Sequence, residues 1–376
     1  MVALAACSTG IFGGSKAVTA PNVDFYLMLD TSPSMEIAAT SGGMASLRAA
    51  TQSNEYGCAF GCHQSNTGDL GAFQAPGGGQ ISCATSGAYA DGTTFDASSK
   101  FPSTGRDNYD LSRCVGVTLR IDLLRDAVQT LVTTAAEAAK ADKATYRMAL
   151  FETDTNQPNP ADDLILYALQ PMTRDLSPGR SAHAAAKKIA ALEMYNNNHL
   201  LAGDNNDDMD TDLDSDIARI NGLMPAPGDG TNHPADTPRE VLLIVTDGLN
   251  DEPWQTDHRA VETPWRIYSP MDWSGVNCTA VKKRGVRIAV LYTTYVPLND
   301  DRWYRSQVAP LLPTDLPPGL PPSTPVGADP MALAAQQCAS RGLYDQVSTD
   351  GDISAAMQTL FRRAVTTRLP PMRTRP

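Results

Sequence analysis

Positive charge is what this sequence lacks most. Thirty Lys and Arg stand against 42 Asp and Glu, a formal net charge of -12. Without a basic stripe to neutralise phosphates, the composition argues against nucleic-acid binding. Long apolar runs are also missing, and none approaches the roughly 20 residues a membrane helix needs. Histidine is scarce, at five residues, and neither a G-x-S-x-G elbow nor a P-loop occurs. The common hydrolase and nucleotide-binding signatures are therefore absent.

What remains is an ordinary globular composition, 42% hydrophobic and 19% charged. At 376 residues, the chain can bury one large core with insertions, or two modest domains. Its acidity is uneven: seven of the thirteen residues from Asp204 to Asp216 are aspartate. That segment is either a solvated loop or a site for a separate Ca²⁺, although it lacks the EF-hand spacing and central glycine.

The most informative stretch is Asn22 to Met35, NVDFYLMLDTSPSM. Val23 to Leu29 is a nearly continuous run of β-formers, as expected of a parallel strand buried on both faces. It stops at Asp30, and Ser32 and Ser34 follow at i+2 and i+4. Ligands of open α/β sheets sit at that carboxyl edge, and hard oxygen donors suit Mg²⁺ or a similar cation. The strand Glu240 to Val245 is the most hydrophobic in the chain and runs into Thr246-Asp247-Gly248. Two carboxylates brought together at neighbouring strand ends would repel unless a cation sat between them. Thr211, just ahead of a short helix, is the best candidate for a further ligand.

Between these landmarks, strands and helices alternate. Helices are expected at Thr118–Lys140, Ser181–Tyr195, Asp214–Met224, Trp273–Arg284, Trp303–Leu312, Met331–Ser340 and Ile353–Ala364. Further strands are expected at Tyr146–Phe151, Leu164–Leu169, Val286–Tyr292 and Leu343–Val347. This order predicts an α/β fold, a doubly wound and mostly parallel sheet with helices on both faces. Residues 36–113 form a long, loop-rich insertion after the first strand, too poor in apolar residues to build its own core. The domain spans 21–366, between an N-terminal segment (1–20) and a tail (367–376).

Six of the seven cysteines can pair once Cys7 is set aside, and even numbers in such loops favour an oxidising compartment. Connectivity is open; the pairing we expect is Cys58–Cys62, Cys83–Cys114 and Cys278–Cys338. His63 follows the CAFGCH cysteines but at the wrong spacing for haem, and a structural disulfide is the plainer reading than zinc. Leu4-Ala5-Ala6-Cys7 matches a bacterial lipoprotein cleavage box, without the preceding basic and apolar segments. Cys7 is either a lipidation relic or lies just downstream of an anchor. The tryptophans Trp254, Trp265 and Trp273 are read either as a partner-binding surface or as packing and loop anchors.

Asp30-Thr31-Ser32-Pro33-Ser34 resembles the DxSxS signature of von Willebrand factor A (vWA) domains, and Asp247-Gly248 after an apolar strand resembles their later aspartate. The resemblance covers about 22–364. It implies a vWA, Rossmann-like fold and a metal-ion-dependent adhesion site made of Asp30, Ser32, Ser34, Thr211 and Asp247. Thr211 departs from the family pattern, since Asp210 and Asp212 flank it where a glycine is usual. The implied cofactor is Mg²⁺, or Mn²⁺ or Ca²⁺, whose open position a partner's carboxylate completes. VDFYLMLDTSPSM, CAFGCH, GVTLRIDLLRDAV, MYNNN, VLLIVTDG, IAVLYTTYVPL and STDGDISAAMQTLF together look like the C-terminal region of TadG-type proteins. Those are envelope-anchored components of bacterial tight-adherence (Flp-type) pilus systems. This implies a protein partner from the pilus or envelope, and a periplasmic or surface location.

Two other classes compete. One is a structural envelope scaffold with a vestigial metal site. The other is a phosphohydrolase with Asp30 as nucleophile, but such enzymes place a second aspartate two residues on, where this chain has Ser32. A non-enzymatic binding module is the expectation.

Overall fold

The computed structural model describes residues 20–50, 86–88, 94–96, 112, 116–153, 166–176, 211–231, 236–253, 261–262, 266–272, 274–294, 304–311, 329–348 and 351–366. In chain order the strands are β1 (Val23–Leu29), β2 (Ser86–Ala88), β3 (Thr94–Asp96), β4 (Tyr146–Thr153), β5 (Leu166–Thr173), β6 (Arg239–Thr246), β7 (Leu249–Pro253), β8 (Val261–Glu262), β9 (Arg266–Pro270), β10 (Arg287–Thr293) and β11 (Tyr344–Val347). The α-helices are α1 (Ser41–Ala50), α2 (Arg120–Asp142), α3 (Leu213–Leu223), α4 (Val276–Lys283), α5 (Pro330–Cys338) and α6 (Ile353–Thr366).

Six strands form the main sheet in the order β11-β10-β6-β1-β4-β5. All neighbours are parallel except β4 and β5, which run antiparallel with a shifted register. The doubly wound α/β expectation is met. Every residue of β1 is buried, which explains why its apolar run is continuous rather than alternating. Phe25 projects to one face, where its ring lies 5.1 Å from Phe361 of α6 and 6.3 Å from Tyr146. Helices α2 and α6 pack together there. The α6 stripe Ile353, Ala356, Met357, Leu360, Phe361 and Ala364 is buried, at the spacing of a single helical face. Helices α4 and α5 both pack on β10 and are joined by the Cys278–Cys338 disulfide. That pairing is as expected, whereas Cys7, Cys58, Cys62, His63, Cys83 and Cys114 lie outside the described residues.

Several local expectations are corrected. Trp303–Leu312 is not an α-helix: its described part is a π-turn (Tyr304–Val308) followed by a 3₁₀ turn (Ala309–Leu311). Pro310 has no N–H to continue an α-helical ladder. Helix α4 starts at Val276 rather than Trp273, because Asp272 and Gly275 take positive φ (43° and 68°). The Asp272 carboxylate then accepts from the N–H groups of Asn277 and Cys278 at 2.9 Å, capping the helix. The insertion is not wholly irregular, since α1 begins where Thr40 Oγ1 accepts from Gly43 N–H; Gly42 and Gly43 hide its pattern. The small antiparallel sheet β7-β9-β8 was not foreseen, its strands being short and, like Leu249–Pro253, polar and acidic. The expected helix Ser181–Tyr195 and the tryptophans Trp254, Trp265 and Trp273 lie outside the described residues.

Candidate functional site

Strands β1 and β6 are hydrogen-bonded neighbours with Leu29 opposite Val245, so both aspartate-bearing ends emerge side by side. Asp30 N–H still donates to Val245 O at 2.9 Å, which keeps Asp30 on the ladder while the chain turns away. Ser32 N–H donates to Asp30 Oδ1 at 2.9 Å, and Met35 N–H donates to Ser32 O at 2.8 Å to close the 3₁₀ turn Pro33–Glu36. This turn brings the Ser32 and Ser34 hydroxyls within 2.8 Å of each other. Thr31 faces the other way: its N–H reaches Thr153 Oγ1 at 3.1 Å and its hydroxyl donates to Thr153 O at 3.0 Å, tying the loop to β4.

From β6, the Thr246 hydroxyl donates to Asp30 Oδ2 at 2.6 Å and accepts from Gly248 N–H at 2.8 Å. Gly248 is required twice over. Its φ is +79°, and a Cβ there would stand 3.1 Å from Met331 Cβ and 3.3 Å from the Tyr292 ring. The turn leaves Asp247 fully buried, with Leu249 N–H donating to Oδ1 at 3.3 Å. Asp247 Oδ2 accepts no hydrogen bond among the described residues. It faces Arg120 Nη1 at 3.6 Å, in a pair with both side chains wholly buried.

The electrostatics follow from this burial. Desolvation pushes the Asp30 carboxyl above its ordinary range, against hydrogen bonds from Ser32 and Thr246. Asp247 is pushed up to about 7, first by burial and then by the charge of Asp30; Arg120 and the Ser34 hydroxyl oppose the shift. Two carboxylates, one of them with an incompletely compensated oxygen, and two serine hydroxyls make an oxygen-only donor set that fits a hard divalent cation. Asp30, Ser32, Ser34 and Asp247 would hold it.

The remaining expected ligand, Thr211, arrives by a different route. Its backbone pairs with Asp251 in both directions, N–H to O at 2.9 Å and 2.8 Å. Asp251 belongs to β7, which starts two residues after Asp247, so Thr211 is led toward the same edge and is buried there. The acidic segment around it is partly described. Asp212 caps α3 by accepting from Ser215 N–H at 2.9 Å, and Asp214 accepts from Asn250 at 3.2 Å. The part 204–210 lies outside the described residues.

Sequence reasoning missed three residues that matter here: Arg120, Thr246 and Asn250. Arg120 sits within the run LRIDLL, where a helix-favouring arginine gives no sign of full burial. Thr246 is adjacent to a recognised aspartate, and its hydroxyl was the available signal.

Fold and cluster define a class: a doubly wound α/β protein with an acidic, hydroxyl-rich site at the carboxyl edge of its two central strands. No protein-family model matches the chain, and no curated protein matches its sequence. Among solved structures, it is similar to the vWF domain of the type V pili tip protein Mfa5 from Porphyromonas gingivalis. The identity is 10%, covering 94% of this chain and 99% of that one, with a TM-score of 0.42. It is also similar to the pilus adhesin SpaC from Lactobacillus rhamnosus GG, at 11% identity and a TM-score of 0.42, covering 92% of this chain but 30% of SpaC. The PilB minor pilin from Streptococcus sanguinis follows at 12% identity and a TM-score of 0.36, covering 92% and 60%. Likenesses at these identities and scores carry no functional argument.

Proposed function

We propose that this chain is a metal-dependent protein-binding module, of adhesion or assembly type, rather than an enzyme. The observation that carries the reading is the clustering of Asp30, Ser32, Ser34 and Asp247 at one sheet edge, with Asp247 Oδ2 buried and taking no hydrogen bond among the described residues. A bound Mg²⁺ (or Mn²⁺ or Ca²⁺) supplies an open position for a partner's carboxylate. Asp30 anchors the loop and contributes negative charge, Ser32 and Ser34 offer hydroxyl oxygens, and Thr211 and Asp247 complete the set. Both Asp30 oxygens accept a hydrogen bond, from Ser32 N–H and the Thr246 hydroxyl, and Ser32 stands where an aspartyl-nucleophile phosphohydrolase would need its second aspartate. The setting we propose is a bacterial envelope, in a tight-adherence pilus system. The motif combination and the Cys278–Cys338 disulfide support it, the latter as a bond of oxidising compartments. Among the described residues no helix is long and apolar enough to cross a membrane.

One observation favours a second reading. Arg120 already brings a cation to 3.6 Å from Asp247, as a structural scaffold with a vestigial site would require. Calorimetric titration with Mg²⁺, paired with thermal unfolding, separates the two. The binding module gives saturable heat and a raised midpoint that chelator reverses; the scaffold gives neither.

A further inference from the structure

Thr211 is the proposed ligand that does not come from a loop at the end of β1 or β6, so something must fix its loop to the sheet edge. Two backbone bonds to Asp251 begin the work. The adjacent residue, Asn250, is fully buried and has a side chain shared among three partners. Its Oδ1 accepts from Leu213 N–H at 3.0 Å, at the first turn of α3 and two residues after Thr211. Its Nδ2 donates to Asp214 Oδ1 at 3.2 Å and lies 3.4 Å from Ser269 Oγ on β9. Asp214 Oδ1 is held a second time by Asp272 N–H, at the turn before α4.

We propose that Asn250 is the positioning residue of the candidate site, fixing Thr211 and the first turn of α3 against the strand ends that carry Asp30 and Asp247. The proposal rests on the cation-binding reading for its purpose, but the placement itself is independent of a metal. An amide is the side chain that fits, because this position needs an acceptor toward Leu213 and donors toward Asp214 and Ser269. Aspartate would keep the acceptor and set a carboxylate against Asp214. Alanine would leave the Leu213 N–H and the Asp214 oxygen short of a buried partner.

The test compares N250A, T211A and the double variant in the full chain. Mg²⁺ affinity is read by calorimetry, and amide hydrogen exchange is read in chelator. Residues that orient metal ligands lower affinity by about 10–100-fold when removed, and N250A is expected within that range. Because Asn250 acts through Thr211, the double variant should bind Mg²⁺ no more weakly than T211A alone. In chelator, the Leu213 amide should exchange about tenfold faster in N250A, while Val245 in β6 keeps its protection. Independent losses in the double variant, or an unchanged Leu213 amide, would overturn the proposal. If N250A does not fold, N250D serves with the same expectations for affinity and for the double variant. Should the wild type bind no Mg²⁺, the functional reading falls, and the exchange result still decides whether Asn250 holds the loop.

Discussion

Strands β1 and β6 carry an acidic pair at each end, and the two pairs are handled in opposite ways. At the amino edge, Asp24 lies opposite Glu240 on one side and Arg147 on the other. Arg147 grips Asp24 with two hydrogen bonds, from Nε at 2.7 Å and from Nη2. Glu240 is 1% exposed, and neither of its carboxylate oxygens has a hydrogen-bond partner among the described residues. Burial, then the charge of Asp24, pushes it up to about 8. At that edge, burial and the neighbouring charge favour the neutral form of Glu240, against the charges of Arg147 and Arg284. At the carboxyl edge, the two Asp30 oxygens each accept one hydrogen bond, from Ser32 N–H and the Thr246 hydroxyl, and Asp247 Oδ2 faces Arg120 at 3.6 Å without a hydrogen bond among the described residues. Acidity alone therefore does not mark a metal site. What distinguishes the carboxyl edge is its hydroxyl-bearing loops, which exist there because that is where the chain leaves parallel strands toward the Ser32–Ser34 turn and Gly248.

The largest expected effect separates the two edges outright. D30A should lose all Mg²⁺ heat and the Mg²⁺-induced rise in unfolding midpoint, while E240Q keeps both. Loss of Mg²⁺ binding in E240Q as well would break the comparison.

Next is the arginine of the carboxyl edge. R120M removes the counter-charge of buried Asp247, a change that costs at most about 3–5 kcal/mol, since burial already pushes that carboxyl toward its neutral form. Urea unfolding in chelator should show that loss, and Mg²⁺ should recover much of it. If Mg²⁺ recovers nothing, the scaffold reading is favoured.

At the amino edge the effect depends on pH. The folded protein keeps the Glu240 proton to about pH 8, whereas the unfolded chain releases it near 4.5. Stability is therefore full below pH 4.5 and declines as pH rises through 8. E240Q removes that decline: it should match the wild type at low pH and exceed it by a margin that grows from pH 4.5 and levels off above pH 8, measured by urea unfolding at each pH. A gain equal at low and high pH would show that Glu240 does not hold its proton.

The smallest effect is that of R147M, which strips Asp24 of its partner. The Arg147 side chain is 40% exposed, so solvent reaches the pair and the expected loss is about 1–2 kcal/mol. A thermal unfolding comparison with D24N/R147M checks it, because the double variant should recover part of the loss.

Much of this architecture was legible because local patterns carry it. A nearly continuous apolar run from Val23 to Leu29 announces β1, and the apolar stripe from Ile121 to Leu131 announces α2. The strand ends at Asp30 and Asp247 were legible from abrupt changes in chemistry. Helix α1 was not, since two glycines dilute its periodicity. Nor were β7, β8 and β9, whose pairing depends on a return of the chain rather than on their own side chains. The antiparallel direction of β5 was likewise invisible, because a strand's residues do not encode its neighbour's direction. Of the candidate site, the four residues on strand-end turns were found together. Thr211 was placed by its position before a helix, and Arg120, Thr246 and Asn250 needed the structure.

By itself, the sequence determined that buried parallel strands would end in aspartate, and that hydroxyls would follow the first of them at a spacing set by one tight turn. Those features are local, a few residues of backbone deciding where a side chain can go. Only the tertiary structure decided that β1 and β6 lie side by side, that a helix would bury Arg120 against Asp247, and that Asn250 would bond the first turn of α3 beside Thr211. Each joins residues far apart in the chain, and desolvation acts on a charge only when packing has removed its water.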